Sequence, residues 1–178
     1  MGIHITGVGS YIPSHKEKNQ DFLAHTFLDD SGKPFGTDNG DIIEKFKAIT
    51  GIEERRYAKP HQTASDLAFL AAERAIEDAS LDPETLDYII VAHNFGDIQH
   101  GCIQTDILPS LATRVKYNLQ IKNPNCVAYD LIFGCPGWVE GVIQAKAFIK
   151  SRMAKRCLVI GADTLSRIAD QYDRDAMI

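Results

Sequence analysis

The sequence Phe133-Gly134-Cys135-Pro136-Gly137 joins an apolar run, Val127 to Phe133, to a helical pattern that ends near Lys150. A thiol in that place can do covalent chemistry. Pro136 disfavours the α conformation for the residue before it and itself suits the first turn of a helix, so Cys135 is expected at or just before a helix N-terminus. The thiol then faces the positive end of the helix macrodipole, which favours the thiolate, the nucleophilic form. Gly134 and Gly137 carry no side chains and leave room for a substrate carbonyl. The arrangement reads as a nucleophile elbow built around sulfur. Free cysteines are also common as packing residues, and residue types alone leave both readings open. Of the other three cysteines, Cys157 opens an apolar strand, Cys126 precedes one, and Cys102 lies in a loop with no basic neighbour close in sequence, so packing is the expected role for each. His4, His15, His25, His61 and His100 stand in no motif.

The elements that must position Cys135 are legible as alternation. Compact apolar runs at Ile3 to Val8, Tyr88 to Ala92, Val127 to Phe133 and Cys157 to Ile160 predict strands. Between them, Ser65 to Ala79 repeats Leu67, Leu70, Ala71, Ala75 and Ile76 at helical spacing, a second helix is expected from Pro109 through Leu119, and a third after Pro136. Strands alternating with helices imply an α/β fold with a largely parallel sheet, covered on both faces. The stretch Asp29 to Asp41, rich in Gly, Asp and Pro, is expected to be a surface loop.

A chain of 178 residues, 44% hydrophobic, can bury one α/β core, so one domain is expected. A net charge of −5 gives no basic surface for a nucleic acid. The longest weakly charged stretch is too short and interrupted to span a bilayer, and the opening lacks the basic region of a signal peptide, so a cytoplasmic location and no membrane are expected. The four cysteines show neither metal spacing nor a disulfide framework. A new apolar run starts at the final residues, DRDAMI, which suggests that a second half belongs beyond them.

Several segments in order, GVGSYIP, TGIEERRYA, TASDLAFLAAERAIEDASLDPETLDYIIVA, AYDLIFGC and LVIGADTLSRIADQYDRDAMI, resemble the 3-oxoacyl-[acyl-carrier-protein] synthase III family over nearly the whole chain. The resemblance implies the N-terminal half of a thiolase-like α/β fold spanning residues 1 to 178, a mixed and largely parallel sheet with helices on both faces. It implies an acyltransferase in which Cys135 takes an acyl group from acyl-CoA or an acyl-carrier protein and condenses it with malonyl-carrier protein. No cofactor is implied; the CoA thioester is a substrate. Arg174 matches an arginine that stacks on the adenine of CoA, and Leu108 is nearest to a residue gating the acyl pocket. A homodimer paired near the strand before Cys135 is also implied. The chain departs from the family at Pro136, where a small residue is usual, and at Lys45, Ile49 and Glu53, where other residues grip CoA. The histidine and asparagine that stabilise the condensation enolate belong to the family's second half. His93 and Asn94 are weak substitutes, because neighbours on a strand point to opposite faces. A related condensing enzyme of secondary metabolism and a non-catalytic dimerising half-domain are the alternatives.

Overall fold

The computed structural model describes residues 2–177, without the side chain of Met177. Its backbone divides into two compact units, one formed by the chain to Tyr11 with Pro60–Thr164, the other by Ile12–Lys59 with the segment from Leu165 onward.

The second unit holds β1 (His15–Lys18), α1 (Asn39–Thr50) and β2 (Glu54–Tyr57). β1 and β2 pair antiparallel, with His15 opposite Tyr57 and Lys18 opposite Glu54. The Asp38 side chain caps α1 by accepting from the Gly40 N–H at 2.8 Å, and Gly51, at φ 69°, ends it. The expected loop from Asp29 to Asp41 is therefore shorter, because its last residues already belong to the first turn of α1. Phe22, Phe27, Ile42 and Phe46 are buried together, with Phe22 and Phe27 edge-on to the Phe46 ring.

The first unit contains α2 (Ala64–Asp78), β3 (Tyr88–His93), β4 (Asp97–Ile98), β5 (Thr105–Asp106), α3 (Leu111–Asn118), β6 (Val127–Ile132), α4 (Gly137–Lys150) and β7 (Cys157–Gly161). Three strands form a parallel sheet in the order β6-β3-β7, with Tyr88 level with both Val127 and Cys157. The central strand β3 is buried over nearly all its length because both faces are covered. Alternation sends Ile89 and Val91 into a cluster with Ala64, Ala68, Ala72, Leu111, Ala112 and Val115 of α2 and α3. On the opposite face α4 lies close to Ile90, Ala92 and Val159. A Cβ at Gly137 would come 3.1 Å from the Ala92 Cβ, and one at Gly141 would come 2.8 Å from Val159 Cγ1. Tyr88 stacks on Phe148 of α4 at 4.6 Å between centroids. The Tyr129 hydroxyl donates to Gln144 Oε1 at 2.6 Å.

Three expectations need correction. Ile3 to Val8 is not a strand, and Ile5 and Val8 are 78% and 69% exposed. A strand needs a neighbouring ladder, whereas this segment rests on α2 through its glycines. Cβ atoms at Gly7 and Gly9 would collide with the backbone around Ala71, Ala75 and Ala79. The Val8 N–H donates to Asp78 Oδ2 at 2.9 Å, and Arg74 reaches the Ser10 carbonyl. The most buried stripe of α2 is accordingly Ala64, Ala68 and Ala72 rather than the Leu67, Leu70, Ala71 set, since small residues let the helix approach the sheet. Pro109 precedes α3 instead of opening it; Ser110 is the cap, accepting from the Thr113 N–H at 3.2 Å.

Two carboxylates, buried Asp97 and partly buried Asp130, tie the helices to the sheet. Asp130 of β6 accepts from the Leu111 and Ala112 N–H groups at the start of α3, at 2.7 and 2.8 Å, and from His93 Nε2 at 3.0 Å. Asp97 accepts from the Ser65 N–H at 2.7 Å, the Ser65 hydroxyl at 2.6 Å and Arg114 Nη1 at 2.7 Å. Charge-assisted bonds of this kind are the strong ones, and removing one partner strands the others in a dry site. We predict that Asp130→Ala lowers unfolding free energy by about 3 kcal/mol. Urea denaturation checks this, and a loss below about 1 kcal/mol would contradict the anchoring role.

Candidate active site

β6 ends at Ile132 and α4 begins at Gly137, so the turn carrying Cys135 is four residues long. Gly134 adopts φ 78°, a left-handed conformation that only glycine takes without strain. Its carbonyl accepts the Gly137 N–H at 3.0 Å and closes the turn. Pro136, at φ −79° and ψ 2°, is the N-cap of α4 and offers no side-chain cap; its carbonyl accepts from the Glu140 N–H at 3.1 Å. Cys135 is exposed, two residues ahead of the 14-residue helix α4 and so near the positive end of its macrodipole. The structure therefore places the thiol where strand, turn and helix meet.

Burial separates the four thiols. Cys126 is 3% exposed, and its desolvation pushes the thiol up, away from the thiolate. Burial, with Asp87 adding to it, pushes Cys157 up to about 11. Cys102 and Cys135 are the exposed pair.

His93 and Asn94 behave as neighbours with different partners. His93 is 2% exposed, and its Nδ1 accepts the Gly96 N–H at 2.9 Å. The proton therefore sits on Nε2 and is donated to Asp130. Both ring nitrogens are committed, which takes His93 out of any reaction. Asn94 spends its backbone N–H, at 3.0 Å, and its side-chain Nδ2 on the Asp163 carboxylate. Its carbonyl oxygen then faces the elbow, 3.6 Å from where a Gly134 Cβ would lie. An acceptor cannot stabilise a developing oxyanion, which requires donors.

Leu108 follows the β4–β5 hairpin and is 79% exposed; Ile103 and Ile107 nearby are exposed as well. Arg114 holds that hairpin, bonding Asp97 and, at 2.8 Å, Asp106, whose carboxyl it keeps below the usual range. Sequence reading missed Asp130, Asp97 and Asp163. For Asp130 the available signal was an acid inside an otherwise apolar strand, since a carboxylate withdrawn from water requires donors.

Arg174 lies in the other unit, in the stretch after Leu165. Its guanidinium carbon sits 4.0 Å from the centroid of the Phe35 ring, and its Nε is 3.4 Å from Asp175 Oδ1. In the same unit Lys45 and Ile49 are exposed, and Glu53 pairs with Lys47 at 2.7 Å. Among the described residues no cluster of three or more His, Cys, Asp or Glu could hold a metal ion. No helix among them is long and apolar enough to cross a membrane.

The profile of the family described as 3-oxoacyl-[acyl-carrier-protein (ACP)] synthase III matches residues 129–178, a stretch that includes the elbow. The beta-ketoacyl-[acyl-carrier-protein] synthase III of Neisseria meningitidis serogroup C is 38% identical over 174 residues, covering 98% of this chain and 48% of the relative. A beta-ketoacyl-[acyl-carrier-protein] synthase III of Vibrio vulnificus matches at the same identity and coverage. The crystal structure of 3-oxoacyl-[acyl-carrier-protein] synthase III from Aquifex aeolicus superposes with a TM-score of 0.77 at 34% identity, over 98% of this chain and 49% of that one. The Thermus thermophilus enzyme gives 0.74 at 31%, over 97% and 46%. The chain thus spans about half the length of the relatives it matches, and its α/β fold is thiolase-like. In sequence and backbone the chain is similar to the N-terminal half of 3-oxoacyl-[acyl-carrier-protein] synthase III enzymes.

Proposed function

We propose that the protein is a condensing acyltransferase of the 3-oxoacyl-[acyl-carrier-protein] synthase III type, with Cys135 as its nucleophile. The observation that carries this reading is the exposed thiol on a four-residue strand-to-helix turn, ahead of α4. The Cys135 thiolate attacks the carbonyl of an acyl-CoA or acyl-carrier-protein thioester. The bond to the donor sulfur breaks, and the donor leaves as a thiol after taking up a proton. Malonyl-carrier protein then loses carbon dioxide, its enolate carbon attacks the acyl-enzyme carbonyl, and Cys135 departs as thiolate, giving a 3-oxoacyl product that begins fatty-acid or related synthesis. The amide N–H of Cys135 itself serves the first oxyanion. The enolate of the second step needs other donors, and the bonding of His93 and Asn94 speaks against both, so we assign those donors to residues outside this chain. We read residues 1–178 as an N-terminal half-domain and Arg174 as a donor-binding residue. Leu108 is taken to line the acyl path, and the protein to work in the cytoplasm with no cofactor besides its substrates.

We also propose a homodimer through β6. Its only strand neighbour among the described residues is β3, so its other edge is free, and Ile132 and Phe133 at its end are 60% and 54% exposed. An open apolar edge is a template for pairing.

Three measurements test these assignments. Mild alkylation with iodoacetamide at neutral pH, followed by peptide mapping, is expected to label Cys135 first; faster labelling of Cys102, Cys126 or Cys157 would falsify the nucleophile assignment. Sedimentation of the complete protein at micromolar concentration is expected to give a dimer, and a persistent monomer contradicts the β6 interface. Residues 1–178 with a short acyl-CoA should gain acyl mass on Cys135. They should yield no 3-oxoacyl product when malonyl-carrier protein is added, since loss of even one oxyanion donor costs about a hundred- to a thousandfold in rate. Product formed at the complete enzyme's rate would mean that residues of this chain stabilise the enolate.

A further inference from the structure

Arg174 and Phe35 make the closest cation–aromatic contact among the described residues, and neither belongs to the elbow. A guanidinium is a plane with two faces. Phe35 covers one at 4.0 Å, while the Arg174 side chain keeps 32% of its surface open.

Phe35 is not a mobile cover. Its N–H donates to the Phe27 carbonyl at 2.8 Å, its neighbour Pro34 bridges to Leu28, and its ring packs against the buried Phe22, Phe27, Ile42 and Phe46 cluster. The turn bearing Arg174 is fastened to the same place. His25 contacts the Gln171 carbonyl through Nε2 at 2.6 Å and stacks on the Tyr172 ring, with 23° between planes. The Leu28 N–H donates to the Tyr172 carbonyl at 2.9 Å. Both the ring and the segment that delivers the guanidinium to it are therefore tied to one rigid aromatic core.

We propose that Phe35 is a positioning residue for the acyl donor. It backs one face of the Arg174 guanidinium and holds the plane so that the opposite face stacks on the flat heterocycle of a nucleotide-bearing thioester. This rests on the reading of Arg174 as a donor-binding residue. Guanidinium is weakly hydrated and stacks readily on aromatic faces, and a side chain already held in place loses less freedom on binding than a loose one. The stack thus selects donors that carry a nucleotide over the same acyl group on pantetheine alone or on a carrier protein, which offers no heterocycle.

The test uses the protein and its Phe35→Leu, Phe35→Tyr and Arg174→Ala variants. Leucine keeps apolar bulk against the core but removes the ring face; tyrosine keeps that face. One readout is the dissociation constant of 3′,5′-ADP, the nucleotide without acyl group or thiol, by titration calorimetry. The other is the ratio of Cys135 acylation rates with acetyl-CoA and with acetyl-pantetheine, by intact mass. Phe35→Leu is expected to weaken 3′,5′-ADP about three- to tenfold and to lower the acylation ratio by a similar factor, with Phe35→Tyr close to the parent, the size of one partly exposed cation–π contact. If Arg174→Ala weakens the nucleotide but Phe35→Leu does not, Phe35 has no positioning role while Arg174 keeps its own. Should neither variant alter nucleotide binding, the donor-binding reading of Arg174 falls and this inference falls with it. Equal slowing with both donors in Phe35→Leu would mean that the ring merely supports the fold, and would also overturn the proposal.

Discussion

The Asp130 carboxylate, held at once by two N–H groups of α3 and by His93, is the constraint on which the sheet-bearing unit of this molecule is organised. It sits in the middle of β6, so satisfying it sets where α3 begins relative to the sheet and keeps β3 and β6 in one register. The elbow starts at the end of that same strand, and the position of Cys135 is inherited from it. A carboxylate largely withdrawn from water is tolerable here because three donors meet it. Asp97 repeats the device at the start of α2, with Arg114 linking it to the hairpin ahead of Leu108.

The strands of the parallel sheet were recovered from the sequence because they are compact apolar runs. Tyr88 to His93 and Cys157 to Gly161 are continuous apolar runs because helices cover both sheet faces, and such runs are visible without knowing what covers them. Gly134-Cys135-Pro136-Gly137 was legible because each residue has a backbone requirement of its own. Ile3 to Val8 shows the limit: its apolar residues suggest a strand, yet whether a ladder stands beside it depends on distant chain. The short pairs His15–Lys18 and Glu54–Tyr57 are polar and half-exposed, and carry no periodic signal. Asp130 with Leu111, Asn94 with Asp163, and Arg174 with Phe35 are each far apart in sequence, so no local pattern announces them.

Exposure among the thiols is divided by the packing that builds the sheet. Cys126 and Cys157 lie at the starts of β6 and β7, where the strands enter the core, and desolvation holds them as thiols. Cys135 lies beyond the opposite end of β6, where the strand leaves the core and α4 opens. One parallel strand thus separates a desolvated sulfur from an exposed one, which lies beyond the carboxyl end of the strand, where open parallel sheets tend to place their ligand sites.

The side of α4 that faces the sheet has almost no side chains to give. Gly137, Gly141 and Ala145 are its buried residues, and a single methyl at Gly141 would meet Val159 at 2.8 Å. Descendants of this sequence are therefore not free to reshape the site by tilting or sliding the helix, because every such step begins with a collision against the sheet. Divergence around the cysteine is left to the connecting segments, while the thiol and the helix behind it stay where they are.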